Sequence, residues 1–266
     1  MKKILHISFI SILVAGTIAL LAFTDIEYQG KAFRSFTIDI LNPSDRAMIT
    51  ADEIKNLVTG KFGQIEGATM ARVNLYELEN TVQANPYVLS CEVYQTIEGD
   101  LVLKARVREP LVRVVNSDDD QFYLDLNGYL MPVNPVHPSH VLIASGFIPD
   151  KYISLDKSEK PLNAYPDTSA LHEVYPVAFY IFKDDFLRSF IDQIYINDKK
   201  EIELVPKIGS QTIIFGNATD AAEKLENLKT FYQKVMCNIN WHTYKSINLK
   251  YKNQVVCLKS IEYGQN

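Results

Sequence analysis

LSCEVYQTIEGDLVLKARVREP, residues 89–110, decides the fold of the first half of this chain. Apolar and polar residues alternate on both sides of Glu98-Gly99-Asp100, a run of turn formers. Leu89, Cys91, Val93 and Ile97 are expected on one face of a first strand. Leu101, Leu103, Ala105 and Val107 are expected on one face of a second, with Lys104, Arg106 and Arg108 on the other. One oily and one wet face per strand is the pattern of an antiparallel sheet covered on a single side. Pro110 closes the unit, because proline cannot donate to a sheet ladder.

Upstream of the hairpin, the spacing predicts two helices and one more strand. In MITADEIKNLVTGKF, Thr50 and Glu53 have the spacing of a capping box, and Ile54, Leu57 and Val58 form an apolar face. In VNLYELENTVQANPYV, Asn74 is the cap, Leu75, Leu78 and Val82 face inward, and Asn85-Pro86 ends the helix. FTIDIL, 36–41, alternates as a strand. The order is β-α-α-β-β over residues 36–110.

The N-terminus carries Lys2 and Lys3 and then LHISFISILVAGTIALLAFT, residues 5–24, without a formal charge. About 20 apolar residues suffice to span a bilayer. Ala22-Phe23-Thr24 is a poor cleavage site, so the segment reads as an uncleaved signal anchor. The two lysines place a cytoplasmic tail at 1–4, with 25–35 a linker and the bulk of the chain extracytoplasmic. The lipid bilayer is thus a partner.

Downstream, LVRVVN, QFYL, YLMPV, VLIASGFI, IDQIYIN, EIELVPK and QTIIFGN read as strands, and Asp125-Leu126-Asn127-Gly128 as a hairpin turn. SALHEVYPVAFYIFKDDFLRSF reads as a helix with Phe179, Phe182, Phe186 and Phe190 on one stripe and a kink or fresh start at Pro176. Asp220 and Glu223 cap a last helix whose buried face is Leu225, Leu228, Phe231 and Val235. SINLKYKNQVVCLK, 246–259, reads as one closing strand. The fold class is α+β: a single N-terminal transmembrane helix, a β-α-α-β-β domain, then an antiparallel β-rich domain over 111–266 with two or more helices.

Little in the chain suggests catalysis. There is no G-x-S-x-G, S-x-x-K, H-E-x-x-H or phosphate-binding glycine loop. His137-Pro138-Ser139-His140 reads as a surface loop, as does Ser117-Asp118-Asp119-Asp120, which lacks calcium-loop spacing. Asn217-Ala218-Thr219 is a formal sequon that a turn explains as well. Cys91, Cys237 and Cys257 are odd in number and far apart, which reads as free thiols rather than a disulfide framework. A net charge of −5 gives no case for nucleic acid. Lys104, Arg106 and Arg108 are either solvated strand charge or a contact with anionic lipid or cell-wall polymer. The expectation is a non-enzymatic protein without cofactor, metal or small-molecule substrate.

The order of elements resembles the bacterial cell-division family FtsQ/DivIB, with residues 36–110 similar to its POTRA domain. NLYELENTVQANPYVLSCEVYQTIEGDLVLKARVREP is similar to its helix, N-P break and hairpin; FYLDLNGYLMP to its D-x-x-G-x-x-x-P hairpin; FGNATDAAEKLENLKTFY to its late strand and final helix; INLKYKNQVVCLK to its closing strand. The resemblance implies a scaffold at the division septum of the inner membrane. It implies FtsB/DivIC-like and FtsL-like single-span partners, other divisome membrane proteins, and a part in controlling septal peptidoglycan synthesis. It implies that Lys250, Tyr251, Lys252, Asn253, Gln254 and Val255 form a strand to which a partner strand adds, with Tyr251 as aromatic anchor. It also makes Lys104, Arg106 and Arg108 a candidate recruitment surface. A POTRA-containing protein of outer-membrane assembly or secretion is the alternative, and an anchored envelope hydrolase a more distant one.

Overall fold

A computed structural model describes residues 12–18, 31–152, 161–239, 241 and 243–260. The tail 1–4, most of the anticipated span 5–24 and residues 25–30 of the linker lie outside the described residues. Residues 12–18 are helical. No helix among the described residues is long and apolar enough to cross a membrane. The chain divides into two compact units, Met1–Pro43 with Ile49–Val107, and Ser44–Met48 with Arg108–Asn266.

The first unit runs β1 (Phe36–Ile40), α1 (Ala51–Phe62), α2 (Leu75–Gln83), β2 (Val88–Gln95), β3 (Leu101–Val107). Local chemistry starts both helices. The Thr50 hydroxyl accepts from the Glu53 amide at 3.2 Å, and the Glu53 carboxylate accepts from the Thr50 amide at 2.8 Å. The Asn74 side chain accepts from the Glu77 amide at 3.2 Å. Ile54, Val58, Leu78 and Val82 are fully buried, as are Leu101, Leu103 and Ala105 of β3.

The sheet order is β1-β3-β2, and the sheet is mixed rather than antiparallel. The hairpin sets β3 against β2. Inserted between β2 and β1, β3 then runs parallel to β1, from Phe36↔Leu101 to Ile40↔Ala105. Ile97 is not on the oily face. The ladder ends at Gln95↔Leu101, and the Thr96 amide bonded to Asp100 O closes the turn beyond it, leaving Ile97 97% exposed.

The second unit runs β4 (Pro110–Val115), β5 (Gln121–Asp125), β6 (Leu130–Pro132), β7 (Leu142–Gly146), α3 (Ala170–Lys183), α4 (Asp185–Phe190), β8 (Ile191–Ile196), β9 (Ile202–Pro206), β10 (Thr212–Gly216), α5 (Ala221–Lys234), β11 (Tyr244–Asn248), β12 (Val256–Lys259). All nine strands form one sheet in the order β12-β11-β10-β9-β8-β7-β4-β5-β6. This sheet too departs from the antiparallel expectation. β4/β7, β7/β8 and β10/β11 are parallel pairs. Two of the three have helices between their strands: α3 and α4 carry the chain from β7 to β8, and α5 from β10 to β11. A helical crossover returns the chain to the end where it started, which is what parallel pairing needs.

The helices bury faces slightly rotated from those the sequence suggested. α3 continues through Pro176 and buries Leu171, Val174, Val177, Ala178 and Ile181. Phe179, Phe182 and Phe186 pack half-buried on its flank; only Phe190 of the stripe is buried. The break falls instead at Asp184. Its carboxylate accepts from the Leu187 amide at 3.0 Å, capping α4, and from Lys229 Nζ at 2.6 Å. The lysine and these amides hold its pKa below the usual carboxylate value. Asp220 precedes α5 with φ 55° and makes no side-chain cap bond, so its capping role is corrected. α5 buries Ala221, Leu225, Leu228 and Tyr232, while Val235 is exposed.

Burial pushes the Cys91 thiol up from 9.0 to about 12. It does the same to the Tyr232 hydroxyl, from 10.0 to about 12, against a hydrogen bond from Gln211 that lowers it. Both folded values lie above the unfolded ones, so the stabilisation is complete below the unfolded pKa and is lost as pH rises toward the folded one. The urea midpoint is expected to hold through about pH 8 and to fall above about pH 9. Cys91→Val should remove the earlier part of that fall in the first unit. A midpoint unchanged from pH 8 to about pH 11 would contradict this.

Candidate docking edge

A nine-stranded open sheet has two edges, and they differ in chemistry. β6 spans Leu130–Pro132 and ends in proline. Asn134 then turns the chain, accepting from the Val136 and His137 amides and donating to Met48 O at 2.7 Å. β12, Val256–Lys259, contains no proline and pairs among the described residues with β11 alone. Its Cys257 lies opposite fully buried Ile247 and packs on the core. Val256 and Leu258, 44% and 59% exposed, lie opposite Asn248 and Ser246. A strand with one free side presents a row of backbone donors and acceptors, and proline and brevity are standard ways to blunt such a row. β6 uses both and β12 lacks the proline.

The closing stretch is not one strand. β11 ends at Asn248 and β12 begins at Val256. Lys250, Tyr251, Lys252, Asn253, Gln254 and Val255, expected within a single strand, form the connection that reverses the chain. The Leu249 amide bonds to Ile214 O at 2.8 Å, and the Gln254 amide to Tyr251 O at 3.2 Å. Asn253 has φ 58°, left-handed backbone that asparagine tolerates better than most side chains. Lys250 Nζ meets Glu201 Oε1 at 2.5 Å, and a Cβ on Gly216 would stand 2.9 Å from the Lys250 stem. Tyr251 is 56% exposed; Val255 is half-buried against the core. The signal for a turn was present in Tyr251-Lys252-Asn253-Gln254, since asparagine marks turns, but the flanking alternation masked it.

The three cations of the first hairpin do not form one surface. Lys104 lies in register with Asp39 on one neighbouring strand and Glu92 on the other. Its ammonium stands 5.2 Å from the Tyr94 ring centre. Tyr94 first, then those carboxylates, raise its pKa. Arg106 is exposed beside Ser90. Arg108, expected on the wet face, is 2% exposed. It belongs to the second unit, beyond the end of β3, where strand alternation no longer sets its direction.

Arg108 Nη1 donates to Asp125 Oδ2 at 2.7 Å, with the guanidinium 4.5 Å from the Tyr129 ring centre. Asp125 is fully buried. Its other oxygen accepts from the Asn127 and Tyr129 amides at 2.8 and 2.7 Å, which shapes the β5–β6 turn around Gly128, φ 76°. The Leu126 amide bonds to Glu109 O, and Leu126 O accepts from the Tyr175 hydroxyl at 2.8 Å. The Asp125 carboxylate therefore ties the entry to β4 to the β5–β6 hairpin, and the Leu126 carbonyl beside it ties that hairpin to α3. No group of His, Cys, Asp and Glu among the described residues is arranged to hold a metal ion.

Two family models match the chain. One, described as FtsQ/DivIB, C-terminal related, covers residues 109–258, and the other, a POTRA-like domain, covers 32–106. No curated protein matches it significantly.

Removing one member of the buried pair strands the other without water. Arg108→Met is expected to cost about 3–5 kcal/mol of unfolding free energy in denaturant titration. Adding Asp125→Asn should recover a substantial part, because the amide oxygen still accepts from the turn amides and no buried charge remains. A double variant no more stable than Arg108→Met would show that the charge is not what the site has to satisfy.

Proposed function

The chain belongs to the FtsQ/DivIB, C-terminal related family, and from that premise we propose that it is a non-enzymatic scaffold of the division machinery, anchored in the cytoplasmic membrane by residues 5–24 and working at the septum. Its matched domains are those of a division-related POTRA protein, and the family implies divisome proteins as partners. In the finer reading those partners are FtsB/DivIC-like and FtsL-like single-span proteins. Linking them lets the chain help control septal peptidoglycan synthesis.

The observation that carries this reading is the proline-free outer side of β12. A partner strand laid against it gains backbone hydrogen bonds, and its alternate side chains meet Val256 and Leu258. The strand-addition site then moves from residues 250–255 to 256–259. Lys250–Val255 becomes the hairpin that leads into it, with exposed Tyr251 as a side-chain contact. Arg106, alone of the three hairpin cations in being exposed without facing carboxylates across the sheet, remains available to a recruitment surface on the first unit.

The test is co-purification of tagged FtsB/DivIC-like and FtsL-like proteins with the full-length chain. The Ser260 amide bonds to Thr243 O, so by strand alternation the Lys259 amide faces outward. Lys259→Pro removes that donor and should lower recovery on the order of tenfold, the weight of one or two backbone hydrogen bonds. Tyr251→Glu should lower it less. Val136→Glu, past the other edge and 69% exposed, should leave it unchanged. Full recovery with Lys259→Pro, at an unaltered unfolding midpoint, would remove β12 from the assignment.

A further inference from the structure

A cleft of about 560 Å³ opens in the second unit where α3 and α4 meet the starts of β4, β7 and β8. Leu111, Leu142, Ala178, Ile181 and Ile191 make its apolar wall. Arg46, Arg188, Lys207 and His140 stand at its rim, against Asp185 and Asp192. Arg46 and Arg188 both pack on the Phe182 ring, their guanidinium carbons 5.0 and 5.7 Å from its centre.

The cations are not equally committed. Arg188 donates to Phe182 O at 3.0 Å and to Asp185 Oδ1 at 2.5 Å, which neutralises that carboxylate. Arg46 comes within 3.7 Å of Glu109, beyond hydrogen-bond reach. Among the described residues its guanidinium makes no hydrogen bond, although it is only 27% exposed. Lys207 is exposed and its ammonium has no partner among them either. Aromatic stacking holds the Arg46 guanidinium in place while its planar fork stays open, the arrangement that suits a carboxylate.

We propose that this cleft receives a peptide segment of a protein partner in which an apolar side chain neighbours an acidic one. The apolar group fills the space between α3 and β7, and the carboxylate meets Arg46 and Lys207 at the rim. The volume suits one or two side chains rather than a broad surface. An apolar wall beside Arg46 and Lys207, two cations whose side-chain donors make no hydrogen bond among the described residues, suits acid on the incoming segment. The site shares no residue with β12 and stands apart from strand addition there.

The test is saturation-transfer difference NMR on the full-length chain in detergent micelles, with acetyl-Leu-Glu-amide, acetyl-Leu-Gln-amide and isovalerate as probes. The leucine methyls should receive saturation with the glutamate peptide. Its dissociation constant should rise about tenfold for the glutamine peptide, and by a similar factor in Arg46→Gln and in Lys207→Gln. Lys207 is exposed, so its variant keeps the test open if Arg46→Gln loosens residues 44–48. Equal binding of the two peptides, or no effect of either variant, would overturn the proposal. Isovalerate binding as tightly as the glutamate peptide would overturn the peptide as its source. Partner recovery through β12 should be the same in both variants, so failure here and failure of the edge assignment are told apart.

Discussion

A guanidinium and a carboxylate closed off from water impose a constraint that the second unit is built to meet. Asp125 can be buried because three donors converge on it: Arg108 and the amides of Asn127 and Tyr129. Each donor comes with its own stretch of chain. The Arg108 donor fixes the residues just ahead of β4, and the amides fix the β5–β6 turn. Leu126 between them is gripped by Glu109 and Tyr175. Such a pair adds little net stability over well-packed apolar groups, since desolvation offsets the attraction. Its weight lies in the cost of every arrangement that leaves one charge alone.

The sequence was most legible where a single local rule governs. The capping box at Thr50, the Asn74 cap and the apolar face of β3 all stand where periodicity put them. It was least legible where a distant partner decides. Parallel pairing of β1 with β3 follows from insertion order, which strand alternation does not encode. Arg108 continues the polar positions of β3 by count, yet one residue past the strand its direction is set by Asp125, 17 positions away. Pro176 reads as a break, but α3 tolerates it and Asp184 makes the break, because a carboxylate there serves α4 and Lys229 together.

The closing segment shows the same division. Ile247 and Leu249 alternate with polar residues and both are buried, while Tyr251, next in the alternation, is 56% exposed. Asn253 took the chain out of the strand by one left-handed residue, and two short strands replaced one long one. The closing segment was legible as strand-forming; its reversal at 249–255 was not. The Arg46 cleft had no sequence signal, since it joins residues 46, 142, 182 and 207, which no spacing rule relates.

The difference between the two sheet edges also bears on stoichiometry. A sheet with two open edges can propagate, each added copy offering a fresh edge to the next, and so run on into a fibre. Here Pro132 closes the β6 side, so a copy that pairs through β12 has no second open edge to pass on. Growth stops after one addition. An edge exposed enough to recruit a strand is thereby kept from becoming a polymerisation template, by a proline eight strands away from the one that would have been at risk.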